Sequence, residues 1–287
     1  MKSRLAALAL LAVTALWGST FILIKDLNDR LPVPDFLAVR FAIAAVTLFL
    51  IAPRAISRLS PVVRRRSIYA GGVYAVAQLL QTAGLSHTDA SVSGFVTGMY
   101  VVATPLLAAA LLRQRIAPIV WLAVTLSTIG LGVLSLRGFS IGYGEAITFV
   151  SAILYAVHIV ALSRWSSPRD AIGMATIQLA VISAICVAIA APGGVELAQN
   201  GRDWLSVIYM AVGAGALAML AQTWAQGQIS AARAALLMTM EPVFAAGFAV
   251  VFGNEHLGLR VLAGGALILT AMVIAESSEA RKIAEIE

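Results

Sequence analysis

Apolar residues in this chain do not alternate with polar ones. They come in runs of about twenty, the number of helical residues that crosses the hydrocarbon core of a bilayer. Ten runs can be read, at roughly 5–24, 34–52, 68–86, 90–112, 118–136, 142–162, 171–191, 204–225, 231–252 and 258–275. In lipid a spanning segment must satisfy its own backbone N–H and C=O groups, and runs this long do so as α-helices. The connections are short and hold the helix breakers: Leu31-Pro32-Val33-Pro34, Pro53 to Arg66, and Ala191-Pro192-Gly193-Gly194. The pattern predicts an all-α polytopic membrane protein with ten transmembrane helices. A polar tail over 277–287 follows, either a short solvated helix or disordered.

Two of the runs share a layout. One is AARAALLMTMEPVFAAGFAVVFGNEHL (231–257), the other ASVSGFVTGMYVVATPLLAAALLRQR (90–115). Both open on small residues, carry a mid-span proline (Pro242 and Pro105) and end polar, and each is followed by one more span. The chain therefore reads as two related halves, 1–138 and 139–276, of five spans each. An odd number sends the second copy through the membrane in the opposite sense, so two inverted five-helix repeats are expected. Exchanging the conformations of two such halves turns a cavity open to one side into a cavity open to the other, which is the logic of alternating access.

Composition agrees that lipid is the main solvent. The chain is 60% hydrophobic and 12% charged, against roughly a quarter charged in soluble domains, and its mean hydropathy is +0.92. The net charge of +6 does not mark a nucleic-acid binder, because Lys and Arg sit in short loops where they set topology. One side receives Lys2, Arg4, Arg54, Arg58, Arg64, Arg65, Arg66, Arg113, Arg115, Arg164, Arg169, Arg233, Arg281 and Lys282; the other receives Lys25, Arg30, Arg137, Arg202 and Arg260. Both termini are therefore expected in the cytoplasm. Lys2 and Arg4 before an apolar stretch resemble a signal peptide, but without a small-x-small cleavage site the stretch reads as an uncleaved first span. Cys186 is the single cysteine, so neither an intrachain disulfide nor a cysteine metal site is expected. His87, His158 and His256 lie on separate segments and make no metal site by spacing, and the sequence carries no Walker loop, HExxH motif or nucleophile elbow.

A set of local motifs narrows the reading. They are Leu16-Trp17-Gly18-Ser19-Thr20-Phe21 with Lys25 closing the first span, Arg40-Phe41 in the second, and Thr88-Asp89-Ala90-Ser91 leading to Pro105 in the fourth. The ninth span adds Glu241-Pro242 and Gly253-Asn254-Glu255-His256-Leu257, and the tenth Gly264-Gly265-Ala266-Leu267-Ile268. In these, over nearly its whole length, the chain resembles the EamA family of the drug/metabolite transporter superfamily, ten-span exporters built from two repeats. Within that family it is similar in composition to bacterial amino-acid exporters of the YddG kind. One departure is Arg113-Gln114-Arg115, where the family often has an acidic residue. The resemblance implies a secondary-type transporter, not an enzyme, in the bacterial inner membrane. It would export small metabolites, amino acids foremost and aromatic ones among them, by alternating access. It implies no cofactor; the partners would be a small-molecule substrate and the lipid bilayer, with no nucleic acid, and the protein would be a monomer or homodimer. Export of other metabolites or drugs, a channel-like facilitator and a membrane-embedded enzyme are the rival readings. The nearest approach to an enzyme's acid cluster, Asp26, Asp29 and Asp35, reads as a solvated loop.

A transporter needs polar groups that face a cavity near the midplane. Tyr74, Gln78 and Gln81 fall on one helical face by spacing; they are a cavity wall or glue between helices. Gln222 and Trp224 occupy the related place in the second half, either in the cavity or at the interface. Tyr155 and His158, three apart, are neighbours; the histidine either meets solute or a proton, or bonds neutrally to another helix. Tyr100 is a mid-span aromatic for stacking or packing. Trp17 lies too deep for an interfacial belt, and with Gly18 it is a candidate for substrate contact and gating. Pro105 and Pro242 are candidate kinks. Glu241 is a candidate proton carrier, or else pairs with a backbone group freed by Pro242 or with a basic side chain. Arg40 is expected to snorkel, or to pair with Asp35 or Glu145, and Glu145 to be interfacial. Gly94 and Gly98 form a GxxxG packing face, and Gly130, Gly132, Gly264 and Gly265 suggest tight packing of the last helix of each half.

Overall fold

A computed structural model describes residues 2–112, 118–137, 140–229, 234, 237–238 and 240–284. Arg113, Arg115 and Arg233, read above as topology signals, lie outside the described residues. The described residues make ten helical passages. The first three are α1 (Lys2–Asn28), α2 (Val33–Ile51) and α3 (Pro61–Leu85); the fourth is split into α4 (Ala90–Gly98) and α5 (Tyr100–Leu112); the fifth is α6 (Pro118–Ser135). A small antiparallel ladder, β1 (Leu136–Arg137) with β2 (Ser140–Ile141), joins the fifth passage to the sixth. Then come α7 (Tyr143–Trp165) and α8 (Ala171–Ala190). The eighth passage runs through α9 (Gly201–Tyr209), a π-helical stretch at Met210–Leu217, and α10 (Ala218–Gln226); α11 (Met240–Gly253) and α12 (Leu259–Ala284) close the chain. The backbone stays helical through most of the expected tail.

Six helical stretches are long and apolar enough to cross a membrane on that ground alone: 4–28, 33–51, 90–110, 143–165, 171–193 and 201–226. Shorter apolar helical stretches lie at 121–133, 240–253 and 259–274, and α3 carries its apolar residues behind Arg64-Arg65-Arg66. The outer surface is apolar: Leu259 is 86% exposed and Leu50 71%. Water would not tolerate so continuous an apolar coat, and lipid does. The chain is a multi-pass membrane protein.

Three local features differ from the expectation of ten plain helices with kinks at two prolines. The fourth passage is interrupted at Met99 rather than at Pro105. The helix continues through Pro105, and the break falls beside Gly98, a residue that weakens a helix interior. The π stretch and the β ladder leave no mark in hydropathy.

The related fourth and ninth passages lie against each other, as do the fifth and tenth, α6 on α12. A Cβ at Gly98 would sit 2.9 Å from the Pro242 ring and 2.5 Å from the Met272 methyl. A Cβ at Gly18 would sit 2.6 Å from Phe244 Cβ and 2.9 Å from the Ala245 nitrogen. Only glycine lets α11 approach α4 and α1 this closely.

The two ends of the bundle are built differently. At one end, Glu255 accepts from the backbone N–H groups of Ala90 (2.8 Å) and Ser91 (3.1 Å) and from the Ser91 hydroxyl (2.7 Å). Lys25 bridges Asp89 (3.0 Å) and Glu255 (3.5 Å). Arg30 grips Asp203 with two donors and Asp26 with two more, and two acids hold that contact's guanidinium well above its usual pKa range. Thr88 donates to Glu145 and the Glu196 N–H to Asp35. Glu145 thus sits at this end of the bundle but is buried within the protein, and Asp35 is buried in the first turn of α2 rather than part of a solvated loop. At the other end, Ala6 and Leu10 of α1 pack with Ala225 and Ala234, and Trp224, Ile229 and Leu237 lie against them. That end also carries a recess between 52–63 and 169–173, edged by Arg54, Arg58 and Arg169.

Candidate functional site

Midway between those ends the two halves enclose a cavity of about 30 Å³. Its first-half wall includes Trp17, Thr20, Arg40, Tyr74, Gln78, Gln81, Thr97 and Tyr100; its second-half wall includes Tyr155, His158, Gln222, Met238 and Glu241. The helical spacing of Tyr74, Gln78 and Gln81 turns all three to one side, and from there a polarised relay runs across helices. The Gln78 amide donates to the Tyr155 hydroxyl at 2.6 Å, that hydroxyl donates to Gln81 Oε1 at 2.8 Å, and the Gln81 amide donates to Thr97 at 3.0 Å. The relay ties α3, α7 and α4 together without leaving those donors unpaired in a buried place.

Aromatic rings form a second layer. Tyr74 meets Tyr155 at 5.3 Å between centroids, His158 at 4.8 Å and Phe41 at 6.4 Å, the last edge to face. His158 Nε2 lies 2.7 Å from Gln178 Oε1, while the Gln178 amide donates to the Met174 carbonyl at 3.2 Å. That geometry assigns the Nε2 proton to the bond with Gln178. The ring therefore bonds to a neighbouring helix, one of the two readings above, and it also lines the cavity. Trp17 donates its indole N–H to the Ala214 carbonyl at 2.9 Å, a backbone group within the π stretch. π turns recur where helices carry function, and here one anchors a cavity tryptophan.

Glu241 and Pro242 act as a unit with Tyr100. A proline at 242 frees the carbonyl four residues back, that of Met238. The Tyr100 hydroxyl sits 3.1 Å from that oxygen and 2.8 Å from Glu241 Oε2. One phenol from the first half thus shares its single O–H between both consequences of the Glu241-Pro242 pair in the second, the shorter contact going to Glu241. Among the described residues neither partner expected for Glu241, a freed backbone group or a basic side chain, is its hydrogen-bond partner; Tyr100 is.

Arg40 departs furthest from expectation. It does not snorkel, and it pairs with neither Asp35 nor Glu145. It is 3% exposed; its Nε and Nη1 have no hydrogen-bond partner among the described residues, and its guanidinium lies 5.0 Å from the Phe41 ring and 5.8 Å from that of Phe36. Its spacing carried the signal. Asp35 and Arg40 are five apart, which points them to different helix faces. The remaining candidates divide as follows. Gln222 lines the cavity, with its Oε1 also unpartnered. Trp224, two residues on and so turned away, packs outside with Leu10 and Ala225; it does not belong to this site. Thr20 and Thr97 line the cavity although sequence reasoning did not single them out.

A bundle of ten apolar passages with a polar chamber at mid-depth, shared by both halves, defines the class: a multi-pass membrane transporter. The EamA-like transporter family model matches twice, at residues 4–136 and 142–276, and the chain belongs to that family. An uncharacterized transporter of Archaeoglobus fulgidus is 28% identical over 279 residues, covering 96% of this chain and 86% of the relative. A crystal structure described only as that of a protein superposes with a TM-score of 0.72 at 19% identity, covering 98% of this chain and 99% of the other; it supports the fold.

Proposed function

We propose that the chain is a secondary-type exporter of small amphipathic metabolites, amino acids foremost and aromatic ones among them, working by alternating access in a bacterial inner membrane. The observation that carries this reading is the composition of the central chamber. Amide, phenol, indole and imidazole groups from both halves surround one arginine and one glutamate, a lining suited to solutes that are part ring and part charge. The twofold family match, with five passages in each part, supports two inverted repeats. The arginines at the end nearest the start of α1 support cytoplasmic termini.

In the present conformation the chamber holds room for about two waters, so a solute several times larger enters only when helices part. Interlocked contacts at one end favour a state closed there. The test is uptake of labelled amino acids into liposomes holding only the purified protein, with and without an imposed pH gradient. Saturable uptake that other amino acids compete away, and that Gln78→Ala and Tyr74→Ala each lower by roughly tenfold or more, supports the reading. A response to the gradient abolished by Glu241→Gln assigns the proton to that carboxyl. Flux that does not saturate supports a channel, and absence of uptake for the whole amino-acid panel turns the search to other metabolites.

A further inference from the structure

The chamber contains an arginine that makes no ion pair among the described residues. Burying an ion is costly unless a counter-ion and hydrogen bonds compensate, and membrane proteins place such groups where they meet a solute or another charge. Arg40 is buried, lines the chamber, and keeps Nε and Nη1 without partners. Two aromatic rings hold its guanidinium, but they supply no acceptor. Glu241 lines the same chamber, yet no ion pair joins it to Arg40 among the described residues; its bond goes to Tyr100. Two further groups complete the pattern. Gln78 Oε1 and Gln222 Oε1 are buried acceptors without donors. Among the described residues the chamber therefore offers unfilled donors at Arg40 and unfilled acceptors at the two glutamines, with the Glu241 carboxyl in the same lining.

We propose that Arg40 is the docking point for a carboxylate on the transported solute, while Gln78, Gln222 and Glu241 receive a donor such as an ammonium at its other end. Guanidinium presents paired N–H groups that match a carboxylate. The inference deepens the export reading and rests on it for the word "transported"; the binding itself does not. It selects solutes by charge pattern: a carboxylate is required, and the rest of the molecule is read by rings and amides.

The test separates binding from transport. Purified protein is stabilised thermally by ligands that bind the folded state, so the apparent Tm is followed with phenylalanine, 3-phenylpropanoate (carboxylate only) and phenethylamine (ammonium only). Both carboxylates raise the Tm of the wild type. Arg40→Gln weakens their binding by about ten- to a hundredfold, leaves phenethylamine unaffected, and is partly restored by Arg40→Lys. Arg40→Met, which removes a buried unpaired charge, leaves the Tm of the empty protein unchanged or higher; a structural arginine would lower it. The same compounds are then tested for uptake. Carboxylate-dependent stabilisation lost in Arg40→Gln, with no uptake of any compound, keeps the Arg40 site and overturns the export reading. Uptake indifferent to the carboxylate keeps export and overturns the Arg40 site; stabilisation by carboxylates that survives Arg40→Gln overturns the Arg40 site, and export is then decided by the uptake arm alone. No stabilisation by either carboxylate overturns the site.

Discussion

The two ends of the bundle close by different physics. Around Glu255 the closure is polar and directional. The side chain of Asp89, which precedes α4, makes no capping bond to its own helix; Glu255, beyond the end of α11, takes that place from another part of the chain. A carboxylate at a helix N-terminus is favoured both by its hydrogen bonds and by the helix dipole. Around Leu10 the closure is apolar: small alanines meet a leucine, with a tryptophan against them. Hydrogen-bonded closures fix one geometry and fail abruptly when stretched. Apolar contacts are non-directional and tolerate sliding. The proposed cycle needs one end to hold while the other yields, and in that proposal this asymmetry assigns the holding role to the Glu255 end.

The largest break in that asymmetry is Glu255→Ala. It leaves two backbone N–H groups and a hydroxyl without their acceptor, at a cost of about 3 kcal/mol. Amide exchange at Ala90 and Ser91 should rise by roughly a hundredfold at constant temperature. Exchange there that stays at the wild-type level would show that the contact does not hold the end closed. Leu10→Ala comes second. A leucine that is 0% exposed loses about 2 kcal/mol on truncation, at the low end for buried leucines because its neighbours are small. Exchange should quicken at Gln228 and Ile229, whose N–H groups bond the Ala225 carbonyl, and salt should not alter the effect. If the proposed cycle couples the ends, exchange at Ala90 and Ser91 should slow at the same time. Independent responses would separate the ends and remove the mechanical argument for alternation.

Much of the fold was written in the chain, because lipid imposes one rule on every span. Ten long apolar runs gave ten passages, and the paired prolines pointed to two helices that prove to lie against each other. The π stretch at Met210–Leu217 was not legible: its small apolar residues suit an α-helix equally well, and the difference is one residue in hydrogen-bond register. The site divides in the same way. Periodicity put Tyr74, Gln78 and Gln81 on one face, and that face lines the chamber. Periodicity says nothing about what stands opposite, so Tyr100 as the partner of Glu241, 141 positions away, could not be read. Gln222 and Trp224, left together between cavity and interface, part company because two residues along a helix is more than half a turn. Arg40 was given partners on the assumption that a buried charge must have one within the protein.

The smallest effect concerns Lys25, and it tests how much of the polar closure is ionic. Its ammonium lies between Asp89 and Glu255, but Lys25 and Asp89 side chains are 37% and 64% exposed, so water and salt share the work. Lys25→Met should change exchange at Ala90 and Ser91 by less than about 1 kcal/mol. That small change should shrink further between low and high ionic strength, as the Debye length falls from about 30 Å at 0.01 M to 3 Å at 1 M. Glu255→Ala should show little such dependence, since its backbone bonds are short and local. If both variants fade together in salt, the closure is a charge cluster and Glu255 acts by its field. If only Lys25→Met fades, Glu255 acts as the cap of α4, and the lysine merely keeps two acids at ease beside each other.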